Sequence, residues 1–241
     1  MRMRPLVGTV LVVTGVALAA LTVPTIVGRG QAVMKYERIS EGADADQNEG
    51  GIDWDALRAQ NPSVVAWCRL EGTSIDLPVC QATDEDPGWW LTHDLWGEES
   101  PAGVPYVDHR TSADARHAIC YGHHFSVTGG MFSEIYRCYD QTEFDRILTG
   151  DLLWSTPMGG TVRLRPLCAM RQDMSYEQIQ CFDFDDDGSF REWLETIIDD
   201  STARVSGDEG LVARASRAVS VVTCSSDLPG QRDRTILVFV A

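Results

Sequence analysis

Eight short apolar or alternating segments, each bounded by turn residues, limit most strongly what this chain can fold into: AWCRLEG, SIDLPVCQ, GVPYVDH, HAICYGH, DLLWSTP, TVRLRPLCAM, AVSVVTC and RTILVFVA. Each has the length and the β-branched or aromatic content of a strand. A run of strands this short and this numerous predicts a mainly β fold, a sheet closed or nearly closed into an eight-stranded barrel. Pro78 and Pro105 fall inside two of the segments, which predicts edges, bulges or irregular ends there.

Helical periodicity interrupts the strands. IDWDALRAQNPSVVAWC predicts a short helix, a turn at Asn61-Pro62 and entry into a strand, so folded structure begins near Ile52. MFSEIYRCYDQTEFDRIL keeps Phe132, Ile135, Tyr136 and Tyr139 on one face. Between the sixth and seventh strands, Phe190, Trp193, Leu194, Ile197 and Ile198 form an apolar stripe, and Ser189 with Glu192 predicts a capping box ahead of it. The preceding FDFDDDGS begins like a calcium loop, but Leu194 stands where a bidentate glutamate would complete the coordination. Its carboxylates read instead as partners of the helix dipole.

Residues 6 to 28 are uncharged and mostly apolar, enough for a helix to cross a hydrocarbon layer of about 30 Å. Arg2 and Arg4 precede the run, which favours a cytoplasmic amino terminus and a body outside. Residues 1–29 are therefore expected to anchor the chain, 30–51 to form a polar linker and 52–241 to form the folded domain. A cleavable signal peptide is the competing reading, because Ala17-Leu18-Ala19 resembles a cleavage site. With 36 acidic residues against 20 basic ones and a net charge of −16, the chain lacks the clustered positive charge that nucleic acid requires.

Seven cysteines leave at least one thiol unpaired within the chain. Cys68, Cys80, Cys120 and Cys168 sit among strand residues as small hydrophobes, while Cys138 and Cys181 lie in more polar stretches where an oxidising exterior would allow a disulfide. Cys224 is different because of its neighbours. Two apolar strands joined by residues 225–233 are most simply antiparallel, which brings the Cys224 thiol and the Arg234 guanidinium to one edge of the sheet. A cation there favours a thiolate and the oxyanion formed when it attacks a carbonyl. Of the five histidines, His123 and His124 in CYGHHF are the best placed as its proton partner, at a strand end leading into a loop. No His-x-x-x-His pair lies on a helical face, so a metal site is not expected.

Taken together, these motifs resemble the sortase transpeptidases, class B sortases most closely, over about residues 52–241. NPSVVAWCRLEGTSIDLPVCQ looks like the family's opening strands, CYGHHF is similar to its Tyr-Gly-His motif, and VVTC is similar to its Thr-Cys strand end. Arg234 follows Cys224 by ten residues, as in class B members, and the 190–199 helix is an element that class A sortases lack in this form.

The resemblance implies a sortase-type barrel with an N-terminal helix, with Cys224 as nucleophile, His123 as general acid and base, and Arg234 as the group that orients substrate and steadies the oxyanion. His124 receives no role. It also implies cleavage after threonine in the carboxy-terminal sorting signal of a surface protein or pilin, a thioester intermediate, and transfer to an amine of a peptidoglycan precursor or a pilin lysine. No cofactor or metal is needed. The implied location is the outer face of a Gram-positive cell membrane. Val222 stands where some class B members carry a substrate-facing serine. Trp89, Trp90 and Trp96 are candidates for a peptide groove, with at least two expected in the core. The rival readings are a cysteine peptidase or cell-wall amidase that passes the acyl group to water, and a non-catalytic surface domain.

Overall fold

Asp53 accepts a hydrogen bond from the Ala56 amide and starts helix α1 (Trp54–Gln60), which ends where Asn61 turns extended before Pro62. In this computed structural model, residues 31, 34–36, 51–125, 128–226 and 230–241 are described. The expected anchor, including the apolar run 6–28, lies outside them, as do residues 37–50 of the expected linker. Among the described residues no helix is long and apolar enough to cross a membrane.

The strands are β1 (Val64–Leu70), β2 (Asp76–Gln81), β3 (Tyr106–Val107), β4 (His117–Tyr121), β5 (Leu152–Thr156), β6 (Gly160–Asp173), β7 (Ala203–Arg204), β8 (Ala218–Cys224) and β9 (Asp233–Val240). They pair in the order β5-β1-β2-β3-β4-β8-β9-β6. The long strand β6 closes the ring, its first half antiparallel to β5 and its second half antiparallel to β9. A bulge between Pro166 and Cys168 interrupts the half paired with β9, next to a proline that cannot donate to a ladder. The eight predicted strands thus form a closed barrel, and β7, which the sequence reading does not anticipate, pairs only with β6 outside it. Pro78 is tolerated in β2 because the strand meets β3 only at Cys80 and Gln81.

Two apolar layers share these strands. Trp67, Trp154, Val219, Val221, Leu237 and Phe239 fill the interior. Alternate residues Ala218, Val222, Ile236, Val238 and Val240 face outward and are covered by helix α3 (Asp187–Asp199) through Phe190, Trp193, Leu194, Ile197 and Ile198. Burial on both faces explains why β8 and β9 read as nearly continuous apolar runs.

Two helix starts differ from the sequence reading. Helix α3 is capped by Asp186, whose side chain takes the Ser189 amide while the Ser189 hydroxyl takes the Asp186 amide, three residues upstream of the expected Ser189–Glu192 box. Of the aspartates at its start, Asp186 caps the helix and Asp187 meets Arg116; among the described residues no group of three or more ligands could hold a metal. The 131–148 stretch is broken into a single turn at Ser133–Ile135 and helix α2 (Gln141–Ile147), because Asp140 is extended and caps α2 through the Thr142 and Glu143 amides. A short α4 (Asp208–Val212) follows β7.

All seven cysteines carry free thiols. Cys138 is buried rather than set in polar surroundings, so it and Cys181 form no disulfide. Burial pushes the Cys138 and Cys168 thiols up to about 12 and those of Cys68, Cys80 and Cys120 higher still, which keeps these five protonated and inert.

Candidate active site

The site lies at the end of the barrel where the outer face of β8 outruns the cover of α3. Strand parity places Cys224 on the outward row with Ala218, Ser220 and Val222, so the thiol opens outward and is partly exposed. Antiparallel pairing sets Arg234 directly opposite Cys224, as the sequence predicts. On the other side β4 runs parallel to β8 with Tyr121 opposite Val222, and the ladder continues through the Gly122 amide, which donates to the Val222 carbonyl at 3.1 Å. His123 follows Gly122 directly beyond the end of β4 and lines the same groove as Cys224. Neighbouring strands lie about 4.8 Å apart, so Cys224 and Arg234 occupy adjacent positions on one sheet edge, with His123 at the end of β4 beside them.

All three line a groove of about 390 Å³. Its floor is the outward row Tyr106, Tyr121, Val222 and Ile236, which the registers align across β3, β4, β8 and β9. Tyr176, Ile179 and Gln180, from the segment between β6 and α3, form one wall. That wall is fastened to the barrel. His117, fully buried on β4, joins the Cys181 carbonyl through Nδ1 at 2.7 Å and the Ser220 hydroxyl through Nε2 at 2.8 Å. Trp193 Nε1 donates to the Gln178 carbonyl at 2.8 Å, and Arg110 Nη1 to Gln180 Oε1 at 2.7 Å.

Each charged group is set by its surroundings. Arg234 Nη1 donates to the Gln231 and Asp233 carbonyls at 2.9 and 3.1 Å, and among the described residues no carboxylate pairs with it. Arg232, its potential competitor, is exposed and held by both oxygens of Asp173 at 2.9 and 2.8 Å. Burial alone would raise the Asp108 carboxyl, but hydrogen bonds from Arg110 and the Tyr121 hydroxyl outweigh it and hold it below the usual range. Burial, reinforced by Asp108 and opposed by Arg234, pushes the Tyr106 phenol up, so it stays a proton donor.

The imidazole of His123 meets the Leu91 carbonyl through Nε2 at 2.8 Å. His124 turns away and stacks on Tyr136 at 4.0 Å, and it does not line the groove. None of the three tryptophans from GWWLTHDLW lines the groove either: Trp90 is buried, Trp96 packs against the core and Trp89 is exposed. Leu91 from the same stretch takes that place. Sequence reasoning missed Tyr106, Leu91 and the 176–180 wall. For Tyr106 a signal existed, an aromatic on an alternating strand two residues before Asp108. For the wall there was none, since its residues come from a single 3-10 turn, Gln178–Gln180, and the loop before it, too short to carry a period.

No protein-family model matches the chain, and no curated protein matches it. Solved structures do. A Staphylococcus aureus sortase B–substrate complex is 20% identical, covering 87% of this chain and 95% of its own, with a TM-score of 0.71. A sortase B complexed with triglycine gives 20% identity, 87% and 96% coverage and a TM-score of 0.72. Clostridium perfringens sortase B gives 22% identity, 77% and 97% coverage and a TM-score of 0.65. These likenesses, with the closed eight-stranded barrel, show that this chain has the sortase fold.

Proposed function

We propose that the chain is a cysteine transpeptidase of the sortase type, class B-like, that cuts a carboxy-terminal sorting signal after threonine and passes the acyl group to an amine. The observation that carries this reading is that His123, Cys224 and Arg234 line one groove, with Arg234 in register with Cys224. The Cys224 thiol passes its proton to His123, and the sulfur attacks the carbonyl carbon of the threonine. Electrons move onto the carbonyl oxygen, where Arg234 stabilises the charge. Collapse expels the downstream amine, which takes a proton from His123 and leaves a thioester on Cys224. An incoming amine then gives a proton to His123 and attacks the thioester, which forms a new amide, and the expelled Cys224 sulfur takes that proton from His123 to become a thiol again.

The sortase B structures solved with a substrate and with triglycine support a peptide as donor and an amine-bearing acceptor. The acceptor amine belongs to a peptidoglycan precursor or a pilin lysine, and the donor is a surface protein or pilin. Residues 1–29 hold the enzyme in the membrane with the catalytic domain outside. The test incubates purified protein with threonine-containing sorting peptides and candidate amines and identifies products by mass spectrometry. Amine adducts that disappear in Cys224→Ala support the reading; peptide hydrolysis without any adduct under all conditions replaces it with a peptidase.

A further inference from the structure

The His123 imidazole is held by a loop that is itself held from the amino-terminal side. A carbonyl oxygen only accepts, so the 2.8 Å contact to Leu91 requires a proton on Nε2 of His123. Leu91 closes the turn Trp89–Leu91, and the backbone beside it has little room to shift. Trp90 is buried, its Nε1 donates to the Gln81 carbonyl at 2.9 Å, and its own carbonyl accepts from the Val104 amide at 3.0 Å. Gly103 has φ +60°, and a Cβ there would stand 2.3 Å from the Trp90 carbonyl oxygen. The two arms of the loop are therefore in contact across Gly103.

Residues 35 and 36 join those arms. Tyr36 is 1% exposed although it lies in a stretch that reads as a polar linker. Its hydroxyl donates to the Gly103 carbonyl at 2.9 Å and accepts from the Leu95 amide at 3.1 Å, so one oxygen ties both arms together. Its ring stacks on Trp96 with centroids 6.1 Å apart. Lys35 adds an ion pair to Asp94 at 3.1 Å and lies 3.5 Å over the Trp96 ring. Asn61, at the end of α1, donates to the Leu95 carbonyl at 2.7 Å and fixes the same arm to the barrel.

We infer that Tyr36, with Lys35, is a positioning residue for His123: it clamps the 89–104 loop so that the Leu91 carbonyl holds the imidazole in its Nε2–H form. The role as a step in catalysis rests on the transpeptidase reading; the clamp itself does not. The segment that follows the apolar run 6–28 is thereby part of the site's support, and the way the chain leaves the membrane is coupled to the orientation of the acid–base group.

Tyr36→Phe in the full chain, kept in detergent, tests this by removing one oxygen and leaving the ring. Two readouts are taken: the long-range ¹H–¹⁵N spectrum of the His123 ring, and the rate and pH profile of acyl transfer. Expected are a wild-type His123 protonated on Nε2 when neutral, a shifted tautomer balance in Tyr36→Phe, and a kcat lowered about 3- to 30-fold with KM for the peptide nearly unchanged. A wild-type ring protonated on Nδ1, or a folded Tyr36→Phe with unchanged ring spectrum and kcat, overturns the inference. A perturbed ring in a protein that transfers nothing upholds the clamp and removes the transpeptidase reading instead. Should Tyr36→Phe fail to fold, Lys35→Met, which alters a half-exposed contact on the same loop, carries the test with the same readouts and a smaller shift.

Discussion

The two faces of strands β8 and β9 are built from the same kinds of residue and end differently. On the inner face Val219, Val221, Leu237 and Phe239 are sealed on all sides by the barrel. On the outer face Ala218, Val222, Val238 and Val240 depend on α3 and the 174–182 segment for cover, and that cover stops before the row does. Cys120, on the inner row of β4, has a thiol raised far above its ordinary range by burial, whereas Cys224, at the uncovered end of the outer row, is partly exposed beside an arginine. A reactive group needs both a rigid strand to fix it and an edge where packing gives out, and only the outer row supplies both.

The largest expected effect breaks this comparison at its open end. Cys224→Ala should reduce acyl transfer by about 10⁴-fold or more, equivalent to about 5.5 kcal/mol, with thermal unfolding little changed. His123→Ala should cost about 10²- to 10⁴-fold and Arg234→Ala about 10²- to 10³-fold in kcat/KM. Arg232 does not line the groove but is bound by Asp173, which does, so Arg232→Ala should cost transfer far less than Arg234→Ala. Single-turnover peptide assays with calorimetry on each variant check these values, and an Arg232→Ala loss equal to that of Arg234→Ala would reverse the assignment of the two arginines.

Next in size is the cover itself. Trp193→Ala removes a ring packed on Phe190 and His117 and frees the Gln178 carbonyl, and should destabilise the fold by about 3–5 kcal/mol in urea unfolding. His117 beneath it is held neutral by burial, which lowers its pKa to about 4 from an ordinary 6.5. The unfolded chain therefore binds a proton that the folded chain refuses in that interval. Stability should fall by about 3 kcal/mol as pH drops from 6.5 to 4 and should not depend on this group above 6.5. Unfolding curves at pH 7 and pH 4.5 for the wild type and His117→Gln measure it, and an equal pH dependence in both proteins would rule out His117 as the source.

Much of the barrel was legible because its strands are buried on one or both faces, and period and apolar run length report burial directly. The pairing of Cys224 with Arg234 was legible for the same reason, since two adjacent apolar runs joined by a short loop leave few alternatives to antiparallel register. The placement of His123 beside Cys224 was not. It depends on a parallel pairing between strands about a hundred residues apart, and no local pattern encodes that. The helix starts were displaced because Asp140 and Asp186 compete for the cap with nearby residues of similar chemistry, and only backbone geometry decides. Tyr36 was read as linker because one buried aromatic in a polar stretch has no period to reveal it.

The smallest expected effect sharpens the comparison within the groove floor, where two tyrosine rings, tilted to each other with centroids 5.4 Å apart, differ in what their hydroxyls do. Tyr121 donates to Asp108 at 3.0 Å, so its oxygen is already committed to the protein. Tyr106 is 7% exposed, lines the groove and has no hydrogen-bond partner among the described residues, yet its phenol stays protonated close to Asp108 and Arg234. Removing the Tyr106 hydroxyl takes no bond from the folded protein, so Tyr106→Phe should unfold within about 0.5 kcal/mol of wild type. If the hydroxyl donates to a bound peptide, the same change should raise KM for the peptide about 3- to 10-fold, the worth of one neutral hydrogen bond, and leave kcat nearly constant. Tyr121→Phe should show the reverse, a stability loss of about 1–2 kcal/mol as Asp108 loses a donor, with KM less affected. Steady-state kinetics and urea unfolding on the two variants separate the cases, and a Tyr106→Phe enzyme with unchanged KM would mean that the peptide passes over this phenol without bonding to it.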